Sequence, residues 1–415
     1  MSGAVPPPGG PVPPGGPAPS GGSAPPGGPA PPGGSAPPGG SAPPGGPERV
    51  SSLELFFDLV FVFTITQLSA LLSHELTPLG MLRVLLIFGV AWWMYGGYAW
   101  LTNTAMPGRT TQRLLLLVGM GGFLVVALAI PHAFGRDGVA LGLGYLVVVI
   151  VHAGLYSSAN PNIVRVAPFN IASALLVIGA GLLPAGARYA AWAMALAVQV
   201  FSPLLIHPGG RFEIRPAHFV ERHGGLIIIA FGESIVAIGI GLAGRAVTTE
   251  LAAAALLGLV VAATLWWAFF GVGDDARAER AMTAAPAQAR PGLALNGYFY
   301  AHIPMLIGIV VLAAGIKLSI GHPGRAAPGP ALALGGGVAL FLAGAAAFRR
   351  ALRIGPTAIR CAAAAAALAT AAIGGLFAVA AQLVALAVVL GLMLAAERRA
   401  RARSGHALSA TDERG

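Results

Sequence analysis

Leu53-Glu54-Leu55-Phe56-Phe57-Asp58-Leu59-Val60-Phe61-Val62-Phe63-Thr64-Ile65-Thr66 sets two carboxylates into an apolar run, four residues apart. At that spacing a helix carries both on one face. Asp58 falls about eight residues, or roughly 12 Å, into a stretch long enough to cross a bilayer. A carboxylate at such depth costs about 2.5–3.5 kcal/mol on insertion scales, so it is expected to be functional or paired. Glu54 lies nearer the surface, where water can reach it.

The rest of the chain has the same texture. Its 415 residues are 56% hydrophobic and 10% charged, against about 25% charge in soluble proteins. Candidate spans fall at 50–72, 79–101, 113–132, 139–157, 167–184, 188–207, 223–243, 249–272, 294–318, 330–348, 357–374 and 377–396. The fold class they imply is all-α, a polytopic transmembrane helical bundle of twelve spans. Residues 361–396 form one apolar run. As a single helix it would reach about 54 Å, too long for a core of about 30 Å. Gly374-Gly375 is the expected break.

Residues 1–47 are almost wholly Pro, Gly, Ala and Ser, without the strict Gly-X-Y period of collagen. The segment has little to bury and is expected to be disordered, as a docking tail or a low-complexity extension. It lacks the charged-then-apolar pattern of a cleavable signal. One cysteine, Cys361, excludes an intrachain disulfide. The net charge of +10 is carried almost wholly by Arg in short loops and at span ends. That placement points to orientation in a membrane rather than to nucleic acid. With the N-terminus placed in the cytoplasm, about three in four of the Lys and Arg residues fall inside, the bias expected for N-in, C-in topology.

An acid and a Trp pair recur along the chain. Glu233 follows Asp58 by 175 residues, and Trp266-Trp267 follows Trp92-Trp93 by 174. Two six-span halves in parallel orientation are therefore expected. The domain boundaries become 1–47 for the tail, 48–210 and 211–397 for the halves, and 398–415 for a basic C-terminal tail. Counted from their span entries, Asp58 and Glu233 reach similar depth and would face each other across a pseudo-twofold axis.

Several residues are candidates for chemistry. Glu54, Asp58, Thr64, Thr66, Glu233 and Ser234 would line an ion or solute pathway, with hydroxyls beside carboxylates. The structural alternative is an Asp locked by an Arg or a helix N-terminus. Glu221, Arg222 and His223 form a cytoplasmic cluster at the entry of span 7, read as a functional group or as an interfacial anchor. Trp92, Trp93, Trp266 and Trp267 mark core packing or a constriction. Asn103 and Asp274-Asp275 are expected in loops. His132, His152 and His302 read as satisfied core histidines. Lys317 is expected near the outer end of span 9, where it can snorkel. No metal-ligand spacing, cofactor motif or catalytic motif is apparent.

The segments from Ser52 to Phe63 and from Glu221-Arg222-His223-Gly224 through Gly232 to Gly239 resemble the two hallmark segments of the bacterial low temperature requirement protein A (LtrA) family. The resemblance covers roughly 48–400. It implies a bacterial inner-membrane protein linked to growth in the cold, and it implies no biochemical activity. Phe56-x-Asp58-x-Val60-Phe61-x-x-x-Ile65-Thr66-x-Leu68 is also similar to the signature of two-repeat potassium channels of lysosomes and bacteria. There the motif lines the pore, though the stretch around Glu233 keeps the acid without the Phe/Asp pattern.

The leading expectation is a channel or transporter for a cation, proton or small solute, with the lipid bilayer as partner. No nucleic-acid partner is expected, and the oligomeric state is left open. A membrane scaffold or sensor signalling through the tail is the first alternative. A lipid-modifying enzyme built on Glu221, Arg222, His223 and His218 is the second.

Overall fold

The computed structural model describes residues 49–104, 108–157, 163–205, 214–322 and 324–412. The Pro/Gly-rich segment 1–47 lies outside them. Among the described residues every regular element is helical. The first six helices are α1 (Ser52–His74), α2 (Pro78–Thr104), α3 (Thr110–Ala129), α4 (Gly138–Ser157), α5 (Ile163–Leu182) and α6 (Ala185–Leu205). There follow α7 (Pro216–Leu242) and α8 (Thr249–Trp266), which continues as a π-helical turn, Trp267–Gly271, into α9 (Asp274–Ala284). The short α10 (Arg290–Ala294) runs through a second π-helical turn, Leu295–Tyr300, into α11 (His302–Ser319). The chain closes with α12 (Pro328–Leu352), α13 (Ala358–Leu376) and α14 (Val379–Asp412). Each of the twelve expected spans is thus a helix. Among the described residues, eleven helical stretches are long and apolar enough to cross a membrane. The remaining helix, α6, is diluted by Arg188 and Gln199.

Local chemistry sets the ends. Ser51 and Glu54 close a capping box on α1: the Ser51 hydroxyl accepts from the Glu54 N–H at 3.3 Å, and the Glu54 carboxylate accepts from the Ser51 N–H at 3.0 Å. Such a cap contributes about 1 kcal/mol. Pro residues open α7 and α12, where a missing N–H does no harm. The long apolar run does divide, two residues beyond Gly374-Gly375. There α13 stops at Leu376, the backbone turns at Phe377, and α14 restarts at Val379.

Helices pack in one order in both parts of the chain. In the first, α3, α4, α5 and α6 pack in sequence, α1 lies on α3 and α2 on α6. In the second, α11, α12, α13 and α14 pack in sequence, α7 lies on α11 and α8 on α14. The two parts meet where α1 packs on α7 and α11. Outward faces stay apolar. On α3, Leu114, Leu117, Val118, Val125 and Leu128 are exposed at helical spacing. Bare apolar stripes of this extent are covered by lipid tails.

Small residues let α11 and α12 approach closely. A Cβ on Gly308 would stand 2.6 Å from the Phe341 backbone nitrogen and 2.7 Å from the Gly337 carbonyl oxygen. Helix association within lipid relies on such backbone contact, because tails and side chains are equally apolar.

A cluster of charges ties α9, α12, α13 and α14 together at one end. Arg349 binds Glu397 through both terminal nitrogens, at 2.6 and 2.8 Å, and Asp274 through Nε at 2.8 Å. Arg360 bridges the same two acids at 2.9 and 3.0 Å. All four side chains are buried. Asp274, expected in a loop, is instead the buried first residue of α9. Gly273 precedes it in a left-handed turn at φ 72°, which swings the acid back against the bundle.

Two outcomes follow for stability. Gly308→Val forces α11 from α12 and is expected to cost about 1–3 kcal/mol. Glu397→Ala leaves two buried guanidinium groups sharing one acid and is expected to cost about 3–5 kcal/mol. Thermal unfolding of the detergent-solubilised protein measures both; a Glu397→Ala transition at the wild-type temperature would contradict the account of the cluster.

Candidate functional site

The site grows from one register. Glu54 meets His218, Asp58 meets Arg222, and Ser69 meets Glu233, and each pair is 164 residues apart. Helices α1 and α7 therefore run parallel, side by side, without slipping over four turns. The acid pair Glu54/Asp58, spaced i,i+4, faces the base pair His218/Arg222 at the same spacing.

At the first level Arg222 is the hub. Its Nη1 donates to Glu54 Oε1 at 3.1 Å and its Nη2 to Asp58 Oδ1 at 3.1 Å. The Thr102 hydroxyl takes a further hydrogen bond from Nη1. The guanidinium lies 5.6 Å from the ring centre of Phe57 and 5.8 Å from that of Tyr95. Both rings add cation–π attraction where no water competes. The Tyr95 hydroxyl donates to Asp58 Oδ1 at 2.9 Å. His218 Nε2 stands 3.1 Å from Glu54 Oε2, and its Nδ1 stands 3.2 Å from the amide nitrogen of Asn103. Asn103, expected in a loop, is fully buried in α2. Its amide grips both the N–H and the carbonyl of Arg215, so it fixes the start of α7.

The second level lies about 16 Å further along α1, eleven residues at 1.5 Å each. Glu233 Oε1 accepts from the Ser69 hydroxyl at 2.6 Å and from Lys317 Nζ at 2.7 Å. Lys317 also donates to Ser69 Oγ. Its side chain is 5% exposed, so it does not snorkel outward: α11 is enclosed over most of its surface and turns the amine toward the acid.

Asp58 and Glu233 thus belong to one strip of the α1–α7 interface at different depths, rather than facing each other. Helix α7 starts at Pro216, seven residues before the expected span start at 223, so a depth counted from 223 is too shallow for Glu233. Between the two levels α1 buries Phe61, Val62, Ile65 and Leu68. Four buried oxygens on this strip have no hydrogen-bond partner among the described residues: Asp58 Oδ2, Thr64 Oγ1, Glu233 Oε2 and Ser234 Oγ. Thr66 is half-buried.

The other candidate residues scatter. Glu221 is exposed and accepts from the Val50 N–H at 3.3 Å. Arg222 turns into the α1 interface. His223 holds the Phe219 carbonyl through Nδ1 at 2.8 Å and packs edge-on against His302 at 5.6 Å. Three successive residues of one helix point in three directions, 100° apart, so Glu221, Arg222 and His223 do not form one cluster. Trp92 is buried and donates to the Phe299 carbonyl at 3.2 Å; Trp93, half-buried, donates to Asn170 at 3.2 Å. Trp266 and Trp267 are exposed on the apolar outer surface. His152 and His302 are buried as expected of core histidines, whereas the exposed His132 sits 3.2 Å from Asp137.

Sequence reading missed Tyr95, Thr102, Ser69 and Lys317 as partners. The matched i,i+4 spacing of His218 and Arg222 was the one legible signal of where the first acids would find bases.

The model of the family described as Bacterial low temperature requirement A protein (LtrA) matches residues 49–395. The protein called Uncharacterized protein RA0937, from Rhizobium meliloti (strain 1021), is 30% identical over 310 residues, covering 70% of this chain and 75% of that protein. No solved structure matches. With a helical bundle and a family match that spans every helix from α1 into α14, this multi-pass membrane protein belongs to the bacterial LtrA family.

Proposed function

We propose that this LtrA protein is a transporter or channel that moves a proton, cation or small solute across the bacterial inner membrane along the α1–α7 strip. The observation that carries the reading is the pair of buried charged levels on that strip, Glu54–Asp58–Arg222 and Glu233–Lys317. Taking an ion pair out of water costs several kcal/mol per ion. Membrane proteins keep such groups mostly where charge passes.

The geometry suits a cation. Each deep carboxylate uses one oxygen for its fixed partners and leaves the other unpartnered among the described residues. An arriving proton or cation would compete with Lys317 for Glu233, and with Arg222 for Asp58. Neutralising Glu233 would release Lys317 and Ser69 from their shared hold, which loosens α1, α7 and α11 at one point. Thr64 supplies a hydroxyl oxygen between the levels, and Ser234 supplies one next to Glu233 at the second level. This is transport chemistry rather than catalysis: positions exchange, and no bond to carbon or phosphorus is made.

The like packing order in the two parts of the chain supports two six-span halves, with α1 and α7 as their first members. The Arg distribution supports both termini in the cytoplasm.

Flux into proteoliposomes tests the reading with two sets of variants. Asp58→Asn is expected to abolish flux while the protein remains folded, since Glu54 still holds Arg222. Glu233→Gln alone strands Lys317 and is expected to lose about 3–5 kcal/mol of stability. Glu233→Gln with Lys317→Gln removes both charges, so it should recover stability and still fail to transport. Full flux in Asp58→Asn and in the double variant would reduce both levels to structural clamps and end the proposal.

A further inference from the structure

At the end of α12 an open recess of about 630 Å³ is lined by Asn296, Ala347, Arg350, Ala351 and Arg353. No acid lines it. Arg350 and Arg353 are exposed, and neither guanidinium has a partner among the described residues. Their neighbour Arg349 is spent in the buried cluster with Asp274 and Glu397, so the recess is left with the charge of Arg350 and Arg353.

Depth in the membrane can be read from the aromatic residues. Phe348 packs against Phe269 at 5.3 Å and against Tyr298 at 5.1 Å, which places these three at one level. Two or three residues from them, Trp266, Trp267 and Tyr300 are exposed on the apolar outer surface. Exposed Trp and Tyr mark the level where tails give way to headgroups. Arg350 and Arg353 stand up to about a turn and a half beyond Phe348, toward the end of the helix. The recess therefore opens at headgroup height.

Backbone conformation supplies an independent sign. Arg353 sits in the left-handed region at φ 55° and ψ 39°, the one non-glycine residue with positive φ among the described residues. Glycine is the usual residue at such a helix end. The Arg353 backbone N–H donates to the Arg349 and Arg350 carbonyls and closes the helix, which leaves Arg353 lining the recess beside Arg350. Asn296 lines the recess from a π-helical turn, a feature frequent at functional sites; its amide nitrogen donates to the Gly292 carbonyl at 2.8 Å, which leaves its carbonyl oxygen and second N–H for a ligand.

We propose that this recess binds the headgroup of an anionic glycerophospholipid, with Arg350 and Arg353 holding the phosphodiester and Asn296 a neighbouring polar group. Two guanidinium forks match phosphate oxygens in geometry and charge. A neutral, zwitterionic headgroup would bring its own cation into a site that already holds two.

Native mass spectrometry of the full chain in detergent tests this, with phosphatidylglycerol and phosphatidylcholine as probes. The wild-type protein is expected to retain phosphatidylglycerol and release phosphatidylcholine. Arg350→Gln with Arg353→Gln should weaken phosphatidylglycerol retention about tenfold to thirtyfold, from roughly 1 kcal/mol per arginine near a lipid surface. Arg353→Gly separates binding from folding: its unfolding temperature should be no lower than that of the wild type, while lipid retention falls. The proposal is overturned if the double variant retains phosphatidylglycerol like the wild type, or if both lipids bind equally. Complete displacement of the lipid by inorganic phosphate at equal concentration would also overturn it, and would assign the recess to a soluble anion.

Discussion

Arg222 is the interaction on which the interface between the two parts of the chain depends. A guanidinium enclosed by helices in a bilayer has no water to fall back on, so it must find its hydrogen-bond acceptors within the protein. Here it finds Glu54, Asp58 and Thr102. These acceptors come from α1 and α2, whereas Arg222 belongs to α7. One side chain thereby draws three helices together, and the order of charges along α1 dictates the register of α7. Glu54 has a double duty, since the carboxylate that holds Arg222 also caps α1. The start of the first helix and the seam between the two parts are built from one group.

Lipid makes polar groups the strong organisers of this fold. Apolar side chains gain little by leaving tails for other side chains, so shape and close approach set which helices touch. The glycines of α11 and α12 supply that approach. Charged clusters then select among the arrangements that close packing allows. Arg222 selects at the α1–α7 seam, Lys317 joins α11 to the same seam, and Arg349 with Arg360 closes the second part at its end. Among these clusters, the α1–α7 strip differs in keeping unpartnered oxygens on both deep carboxylates. The cluster at Asp274 and Glu397 is more fully saturated by its arginines, as a purely mechanical tie would be.

Much of this was legible in the chain. Span count and type followed from apolar runs of bilayer length, because a segment in lipid must satisfy its own backbone and only a helix does so alone. That Asp58 and Glu233 would be paired or functional followed from the expense of a carboxylate at depth, and both are paired. The break in the last long run was placed within two residues. Less was legible at helix ends. Asn103 and Asp274 read as loop residues because each lies where the apolar pattern fades, yet both are buried. Hydropathy marks where apolar side chains stop, and a polar residue whose partners arrive from elsewhere in the chain extends the buried helix beyond that point. The start of α7 was misplaced by seven residues for the same reason, and with it the depth of Glu233.

By itself, then, the sequence determined that the chain is a bundle of membrane helices, and which few side chains inside it carry charge. Those are properties of composition and local period, and the bilayer enforces them segment by segment. Only the tertiary structure decided which base each acid meets. Arg222 lies 164 residues from Asp58, and Lys317 lies 84 from Glu233. No local pattern reaches that far; partners of this kind are chosen when helices settle into the packing in which every buried charge is answered.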